Sequence, residues 1–580
     1  MLTKIFPDNL SFISFLFLLL FMGLFYQVAW QYPAIDGFPL IERLLNEKFL
    51  VNDFFTNTFK EFSPRLASAK AIVWLSKTFD SDYQVIVAYC NIIRIWLYGI
   101  GLYLLFFNLA GKSIALIAFS FSALSFLSMP FLPAWWPITY DLTSSNIALV
   151  FAMFAWVCAL RSQVQLTFLV LTAAVFVHPV VGVQALIISI ILYLVRNSSG
   201  DFFNLFKQPS IYPCALAFLA AFLFNYISYQ QILPDQEFIA INGQFRHGHH
   251  FIFSHMDVEK WLSTIFMVLA CLVITKHLKH ADSKDLETTT YVIIAYSVSM
   301  VAISYLFTQL YPTRFMISFI PMRGFPILVP IVVLAFARLA YQQWQQHKYC
   351  NFLLLFLPFL PYQKVGLTWF LFPNHHELVL PLLLTGLVLI LLLMDHYSVF
   401  SFRTIDSLFD KVINKASVAI VIFPISIAAL LLALIRFDIN IPNFENHPKL
   451  YQWLYSNTAQ DDVILSELNA ANNQKLRLLS RRAVIVSKDF PFNEIFYRQW
   501  YQRYSDVYQH RDSARGRIDQ LSEDELNLIM DNYGATILLR TRPLQTMSQF
   551  SLLGESIGEK GKAYIYRNNE HHKYEITADE

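Results

Sequence analysis

Apolar positions along this chain do not alternate with polar ones in short amphipathic stretches. They gather into runs of roughly 15 to 22 residues, long enough or nearly long enough to cross a hydrocarbon core of about 30 Å. The runs fall near 10–30, 86–108, 113–131, 145–160, 166–178, 180–195, 211–230, 260–276, 289–308, 325–340, 351–362, 376–394 and 416–436. The pattern predicts a polytopic α-helical membrane protein of about 11–13 membrane segments. After residue 437 the runs stop, and short β-rich stretches take over: "DVILSE" (462–467), "AVIVS" (483–487), "ATILLR" (535–540) and "AYIYR" (563–567). These predict a C-terminal α/β domain over 437–580, beside a membrane module over 1–436. Within the domain, Ser522 and Glu525 form a capping box ahead of "LNLIMDNY", and Gly534 stands where a C-terminal cap belongs.

The polar positions between the runs set the expected orientation. "LSFISFLFLLLFMGLFYQVAW" (10–30) follows Lys4 and has no small-residue cleavage site, so it reads as an anchor with a cytoplasmic start. Alternation from there puts Lys112, Arg161, Arg196, Lys207, Lys276, Lys279, Lys284, Lys348, Arg403, Lys411 and Lys415 inside, as the positive-inside rule requires. The C-terminal domain is then extracytoplasmic. The first outer loop, 31–85, carries two helical patterns. In "PLIERLLNEKFL", Ile41, Leu44, Leu45 and Phe49 recur at helical spacing, and Ser63 with Pro64 starts "RLASAKAIVWLSKTF"; both read as helices lying in the membrane plane.

Composition agrees with this layout and narrows it. Residues are 56% hydrophobic and 14% charged, and the net charge of +2 gives no electrostatic case for a nucleic-acid partner. The five cysteines all lie at or before Cys350, so no disulfide framework holds the polar tail. There is no phosphate-binding P-loop, dinucleotide fingerprint or serine-hydrolase elbow. Chemistry on the outer side then needs a substrate already activated and already in the membrane.

The candidate residues collect in the outer loops. Asp36, in "YPAIDGF" just beyond the first run, reads either as a general base or as a loop carboxylate; Asp53, in "LVNDFF", reads as a second acid, a cap or a cation ligand. "RHGHH" offers Arg246 as a forked cation suited to phosphate. His247, His249 and His250 there can donate to phosphate oxygens, or coordinate a divalent ion such as Mg or Mn, with His249, His250 and Asp53 as candidate ligands; a closed zinc site would need further ligands such as Asp53 or His375 and His376. A partly solvated loop anchored by Phe245, Phe251 and Phe253 is the third reading of the same stretch. His178-Pro179 breaks an apolar run and predicts a broken hairpin with His178 at its tip. Arg314 in "YPTRF" and Arg323 in "PMRGF" are guanidinium groups beside apolar sequence, with Arg314 read as a partner for donor phosphate or a snorkelling side chain. Trp135, Trp136 and Tyr140 read as an interfacial belt, and Arg477, Arg481, Arg482 and Lys488 as a solvated basic face or a basic rim toward lipid head groups.

An inside start, a first outer loop of two in-plane helices with an acid at its head, many spans and a trailing outer domain together resemble the GT-C class of membrane glycosyltransferases. "FRHGHHFIFSH", "LRLLSRRAVIVSKDFPF" and "YRQWYQRY" resemble, more narrowly, an uncharacterised bacterial family with an Arg-x-x-His-His motif. Gly248 and Phe251 depart from the His-x-Pro-His-His-Tyr form usual there. The resemblance implies a GT-C-like fold in a bacterial inner membrane with a periplasmic C-terminal domain. It implies inverting transfer of a sugar from a polyprenyl-phosphate donor to a glycan, lipid or protein acceptor, with Asp36 at the position of the base. A flippase of lipid-linked saccharides and a non-catalytic envelope assembly protein are the alternative readings.

Overall fold

In the computed structural model the described residues are 5–28, 38–60, 66–125, 142–197, 208–228, 232–246, 258–277, 284–360, 379–397, 402–413, 417–436, 449–508, 517–544, 549–558 and 561–569. They form two compact units. The first comprises Met1–Trp30, Ala88–Asn225 and Gly248–Ile439; the second comprises Gln31–Val87, Tyr226–His247 and Asn440–Glu580. The cut therefore does not follow the linear division at residue 437, because two upstream segments fold together with the C-terminal one.

The first unit is a helical bundle, and each apolar run of the sequence forms a helix in it. Among the described residues, five are long and apolar enough to cross a membrane: Asn9–Tyr26, Tyr83–Ala110, Pro179–Arg196, Leu286–Leu310 and Arg314–Gln345. Eight shorter apolar helices accompany them. The chain is thus a multi-pass helical membrane protein. Its buried core runs through Phe21, Phe106, Phe119, Trp156, Ile331 and Phe336, while Leu216, Leu383 and Ile435 face outward, where acyl chains would meet them. Lipid is as apolar as leucine, so close contact rather than water exclusion has to hold such a bundle. Glycines supply it. A Cβ on Gly23 would lie 2.2 Å from Trp96 Nε1, and one on Gly182 would lie 2.6 Å from the Val175 backbone.

The Gly182 contact closes the hairpin predicted at His178-Pro179. The helix Val164–Val177 ends, His178 turns extended (φ −154°, ψ 99°), and Pro179 opens the helix Pro179–Arg196 at its first position, where its missing N–H costs nothing.

Among the described residues the second unit carries one sheet of five strands: β1 (Val463–Ser466), β2 (Ala483–Val484), β3 (Ile537–Arg540), β4 (Phe550–Gly558) and β5 (Gly561–Asn568), in the order β2-β1-β3-β5-β4. β1 runs parallel to β2 and β3, in register Val463↔Ala483 and Ile464↔Ile537. β5 is antiparallel to β3 and β4. The helix Ala470–Ser480 makes the crossover from β1 to β2 that parallel strands need. The capping box at Ser522 and Glu525 is present on the helix Glu523–Tyr533, and Gly534 caps its end at φ +65°. Only two residues of "AVIVS" pair as strand, and β4 was not apparent from the sequence. That strand is an edge, its side chains mostly exposed, and it kinks at Leu552/Gly554, so no clean alternation marks it. Gly554 sits there because a Cβ would lie 2.5 Å from the Trp453 ring.

Of the two helices expected in the first loop, one spans Phe38–Leu45 and the other Leu66–Phe79. The first stops four residues short of Phe49: Asn46 Oδ1 accepts from Lys48 N at 3.0 Å, and Leu50 adopts a positive φ of 50°. Ser63 and Pro64 lie outside the described residues.

Gly182→Ala is expected to destabilise the first unit by about 1–3 kcal/mol, because the obstruction is Val175 backbone and no rotamer relieves it. Thermal unfolding of the detergent-solubilised protein measures this, and an unchanged midpoint would contradict the close approach.

Candidate functional site

The second unit brings two remote segments of sequence onto one stretch, 477–507. The first is the loop segment 53–59. Asp53 caps the short helix Phe54–Asn57: its Oδ2 accepts from Thr56 N at 2.8 Å and Thr56 Oγ1 at 2.7 Å. The same oxygen accepts from Arg477 Nη1 at 3.3 Å, and Arg477 Nη2 reaches Asp489 Oδ2. Asp53 and Arg477 are each only 1% exposed. Asp489 is held in turn: Gln474 Nε2 donates to its Oδ1, Ser487 Oγ to its Oδ2 at 3.0 Å, and its carbonyl accepts from Trp500 Nε1 at 2.7 Å.

The two phenylalanines after Asp53 are gripped alongside. The Arg477 guanidinium lies 4.9 Å from the Phe55 ring centre, and Phe492 meets Phe55 and Phe59 at 6.2 and 6.0 Å. Arg503 lies between the rings of Phe54 (4.6 Å) and Tyr533 (4.5 Å). Burial pulls the Arg503 guanidinium below its ordinary value, with Tyr533 and Asp53 pulling the other way.

The second remote segment is 232–246, which ends in the predicted "RHGHH" motif. Glu494 caps its start, accepting from Ile232 N at 2.9 Å and Leu233 N at 2.5 Å. Arg498 forks onto Glu237 at 2.5 and 2.6 Å. Phe245 inserts beside Trp500, Tyr501 and Tyr504 at 5.8, 5.0 and 5.3 Å. Arg246 then lies with its guanidinium carbon 3.8 Å from the Phe490 ring centre, and its Nη1 is 3.4 Å from Asn242 Oδ1. Two consecutive residues, Asp489 and Phe490, thus serve the two loops: Asp489 reaches Asp53 through Arg477, and Phe490 carries Arg246.

The structure therefore brings Asp53 and Arg246 to a common support. His178 and Arg314 belong to the first unit. His178 Nδ1 is 3.4 Å from Val181 N and its Nε2 is 2.8 Å from Arg323 Nη1. Arginine can only donate, so Nε2 accepts and a neutral ring carries its proton on Nδ1; the longer contact to Val181 is then the one forfeited. Beside this pair Tyr296 donates to Gln184 Oε1 at 2.8 Å, and a Cβ on Gly324 would lie 2.4 Å from the Tyr296 hydroxyl. Arg314 opens the helix Arg314–Phe319, capped by Thr313. Asp36, His247, His249, His250, His375, His376, Trp135, Trp136 and Tyr140 lie outside the described residues.

Among the described residues no group of three or more His, Cys, Asp or Glu converges as metal ligands do. Asp53 has a guanidinium for its countercharge. Its Oδ1 is buried with no hydrogen-bond partner among the described residues, so accepting capacity remains on that oxygen.

One expectation is overturned. Arg477 and Arg482 are not part of a solvated basic face; both are buried. Arg482 closes the end of the helix Lys449–Asn457, donating to Thr458 Oγ1 at 2.8 Å and to the carbonyls of Tyr455 and Thr458 at 2.7 and 2.6 Å. Burial lowers its pKa, opposed by Asp462. Only Arg481 and Lys488 are exposed. The sequence did not point to Asp489, Glu494 or Phe490 either. The available signal was the spacing Tyr497, Trp500, Tyr504, one aromatic face on a helix otherwise rich in polar residues.

A family model described as a domain of unknown function (DUF6798) matches residues 445–507. That stretch holds Arg477, Asp489, Phe490, Glu494 and Trp500. No curated protein matches the chain. Among solved structures, an archaeal oligosaccharyltransferase, AglB from Archaeoglobus fulgidus, determined in complex with an inhibitory peptide and a dolichol-phosphate, is similar at 10% identity and a TM-score of 0.39. The match covers 92% of this chain and 69% of that one.

Two predictions test the support. Arg477→Met should cost about 3–5 kcal/mol, since it leaves Asp53 and Asp489 buried without their cation, whereas Asp53→Asn, which keeps the cap, should cost less. Chemical denaturation followed at Trp500 would rank the two, and the reverse order would refute the bridge. Arg498 holds Glu237 below the ordinary glutamate value of 4.5. A depressed acid stabilises the fold above its unfolded value and loses that contribution as pH falls through the folded one. Hydrogen exchange of 232–246 should therefore quicken as pH drops below 4.5, after correction for intrinsic rates, and Glu237→Gln should remove that dependence.

Proposed function

We propose that this protein is a membrane glycosyltransferase that moves a sugar from a polyprenyl-phosphate donor to an acceptor hydroxyl at the outer face of a bacterial inner membrane. The observation that carries the reading is the common support of Asp53 and Arg246 by Asp489 and Phe490. It ties segment 53–59 of the first outer loop to segment 232–246, and this supports a two-sided site for acceptor and donor. The resemblance of sequence layout to the GT-C class supplies the reaction type.

In this reading Asp36 takes the proton of the acceptor hydroxyl as the acceptor oxygen bonds to the sugar's anomeric carbon. The bond from that carbon to the phosphate oxygen breaks on the opposite face, inverting the centre, and polyprenyl phosphate departs with the electron pair. Arg246 and His247 stabilise the phosphate oxyanion; fixed donors aimed at a developing charge are commonly the largest catalytic contribution. Asp53 holds the first loop in place through Arg477. No step is assigned to a metal.

The test is transfer in vesicles holding a labelled polyprenyl-phosphate sugar. Asp36→Asn should lower kcat by about 10²- to 10⁴-fold with folding unchanged, and Arg246→Ala should raise the donor KM. Full transfer by Asp36→Asn would remove Asp36 as the base. Movement of labelled lipid between leaflets without transfer would replace the enzyme reading with a flippase.

A further inference from the structure

The helix Leu66–Phe79 of the first outer loop is covered on one side only. Ala69, Ile72, Val73 and Ser76 are buried, and the helix Phe38–Leu45 packs against it. Lys70, Ala71, Trp74, Lys77 and Thr78 are exposed, and helical spacing puts all five on the opposite side. Trp74, at the middle of that side, is 64% exposed. Lys70 stands four residues before it and Lys77 three after, so the two lysines flank the ring along one stripe.

Charge on this stretch is of one sign. Residues 62–79 hold Arg65, Lys70 and Lys77 and no acid. Neither Lys70 nor Lys77 forms an ion pair among the described residues. The acids of adjoining segments are placed elsewhere: Glu42 accepts from the Tyr83 hydroxyl at 2.6 Å and lies 3.8 Å from Arg481, and Asp82 Oδ1 accepts from Gln84 N at 2.7 Å. Asp80 is exposed past the last turn, where its positive φ of 46° ends the helix, so along the stripe itself both charges are positive.

The end of the helix is tied to a membrane span. Only Asp80–Asp82 separate it from Tyr83–Ala110, which is long and apolar enough to cross a membrane, and three residues reach about 10 Å at most. Ser81 is bonded back to Ser76 at both its N–H (3.1 Å) and its carbonyl (2.6 Å).

We infer that Leu66–Phe79 is a surface anchor selective for anionic phospholipid. Trp74 enters the boundary between headgroups and acyl chains, where a ring with one polar edge is at home, and Lys70 and Lys77 reach the headgroup phosphates. The sequence predicts only that this helix lies in the membrane plane. The buried residues fix which side turns to the bilayer, and the charges on that side fix the lipid. The anchor is independent of the transfer reaction, since it uses none of the residues placed in that site.

The full chain in lipid nanodiscs provides the test, with hydrogen exchange read by mass spectrometry in phosphatidylcholine alone and with phosphatidylglycerol added. Amides of 66–79 should exchange about tenfold more slowly when the anionic lipid is present, as expected for two lysines near a charged surface. K70Q/K77Q should erase the difference while the amides of β1 and β3 keep their protection. Equal exchange of the wild-type helix in the two lipids would overturn the inference, and so would a full anionic response in K70Q/K77Q. Trp74→Ala should quicken exchange of the helix in either lipid. A ring standing in water would give unchanged or slower exchange, because alanine is the better helix former, and that result would refute insertion.

Discussion

A guanidinium that is 1% exposed holds the second unit together: Arg477 stands between Asp53 and Asp489, with the Phe55 ring against its plane. Taking three charges out of water is costly, and the mutual attraction offsets that cost only when the remaining hydrogen-bonding capacity is also met. Here it largely is, through Thr56, Gln474 and Ser487. The consequence is directional. An apolar contact would let the first loop slide over the C-terminal segment, whereas a buried ion pair permits one register. The segments bridged by Arg477 and Asp53 are 424 residues apart in sequence.

The two units are cohesive for different reasons. The membrane unit has no water to expel from between its helices, so it depends on contact distance, and its glycines meet Trp96 and the Val175 backbone where any Cβ would intrude. The second unit does have water to exclude. It buries Leu454, Ile464, Leu476, Ile537 and Ile565 around a sheet, then fixes the added loops by charge and aromatic rings. One glycine in each unit shows the difference. Gly182 lets two helix backbones touch, and Gly554 lets a tryptophan cover a kinked strand.

The residues with the most obvious chemistry in the sequence and those with the firmest geometry are not the same set. Arg246 looks like a phosphate ligand, and in the fold its guanidinium lies on Phe490, so the ring fixes the position from which its remaining donors can act. Asp489 and Phe490 look like ordinary strand-end residues, yet the two loops are supported there. A function based on these loops depends on residues with no claim to touch a substrate.

By itself the sequence determined which segments are helical and apolar, where the chain breaks at His178-Pro179, where the helix Glu523–Tyr533 begins and ends, and three of the five strands nearly to the residue. All of these depend on neighbours within a turn or two: hydrophobic period, proline's missing donor, a serine three residues before a glutamate. Only the tertiary structure decided that the first loop and 226–247 join the C-terminal unit, and that Arg477 and Arg482 are buried. Burial of a charge is settled by whether an opposite charge or a carbonyl arrives from elsewhere in the chain. For Arg477 that partner came from residue 53, at a distance in sequence that no local pattern can register.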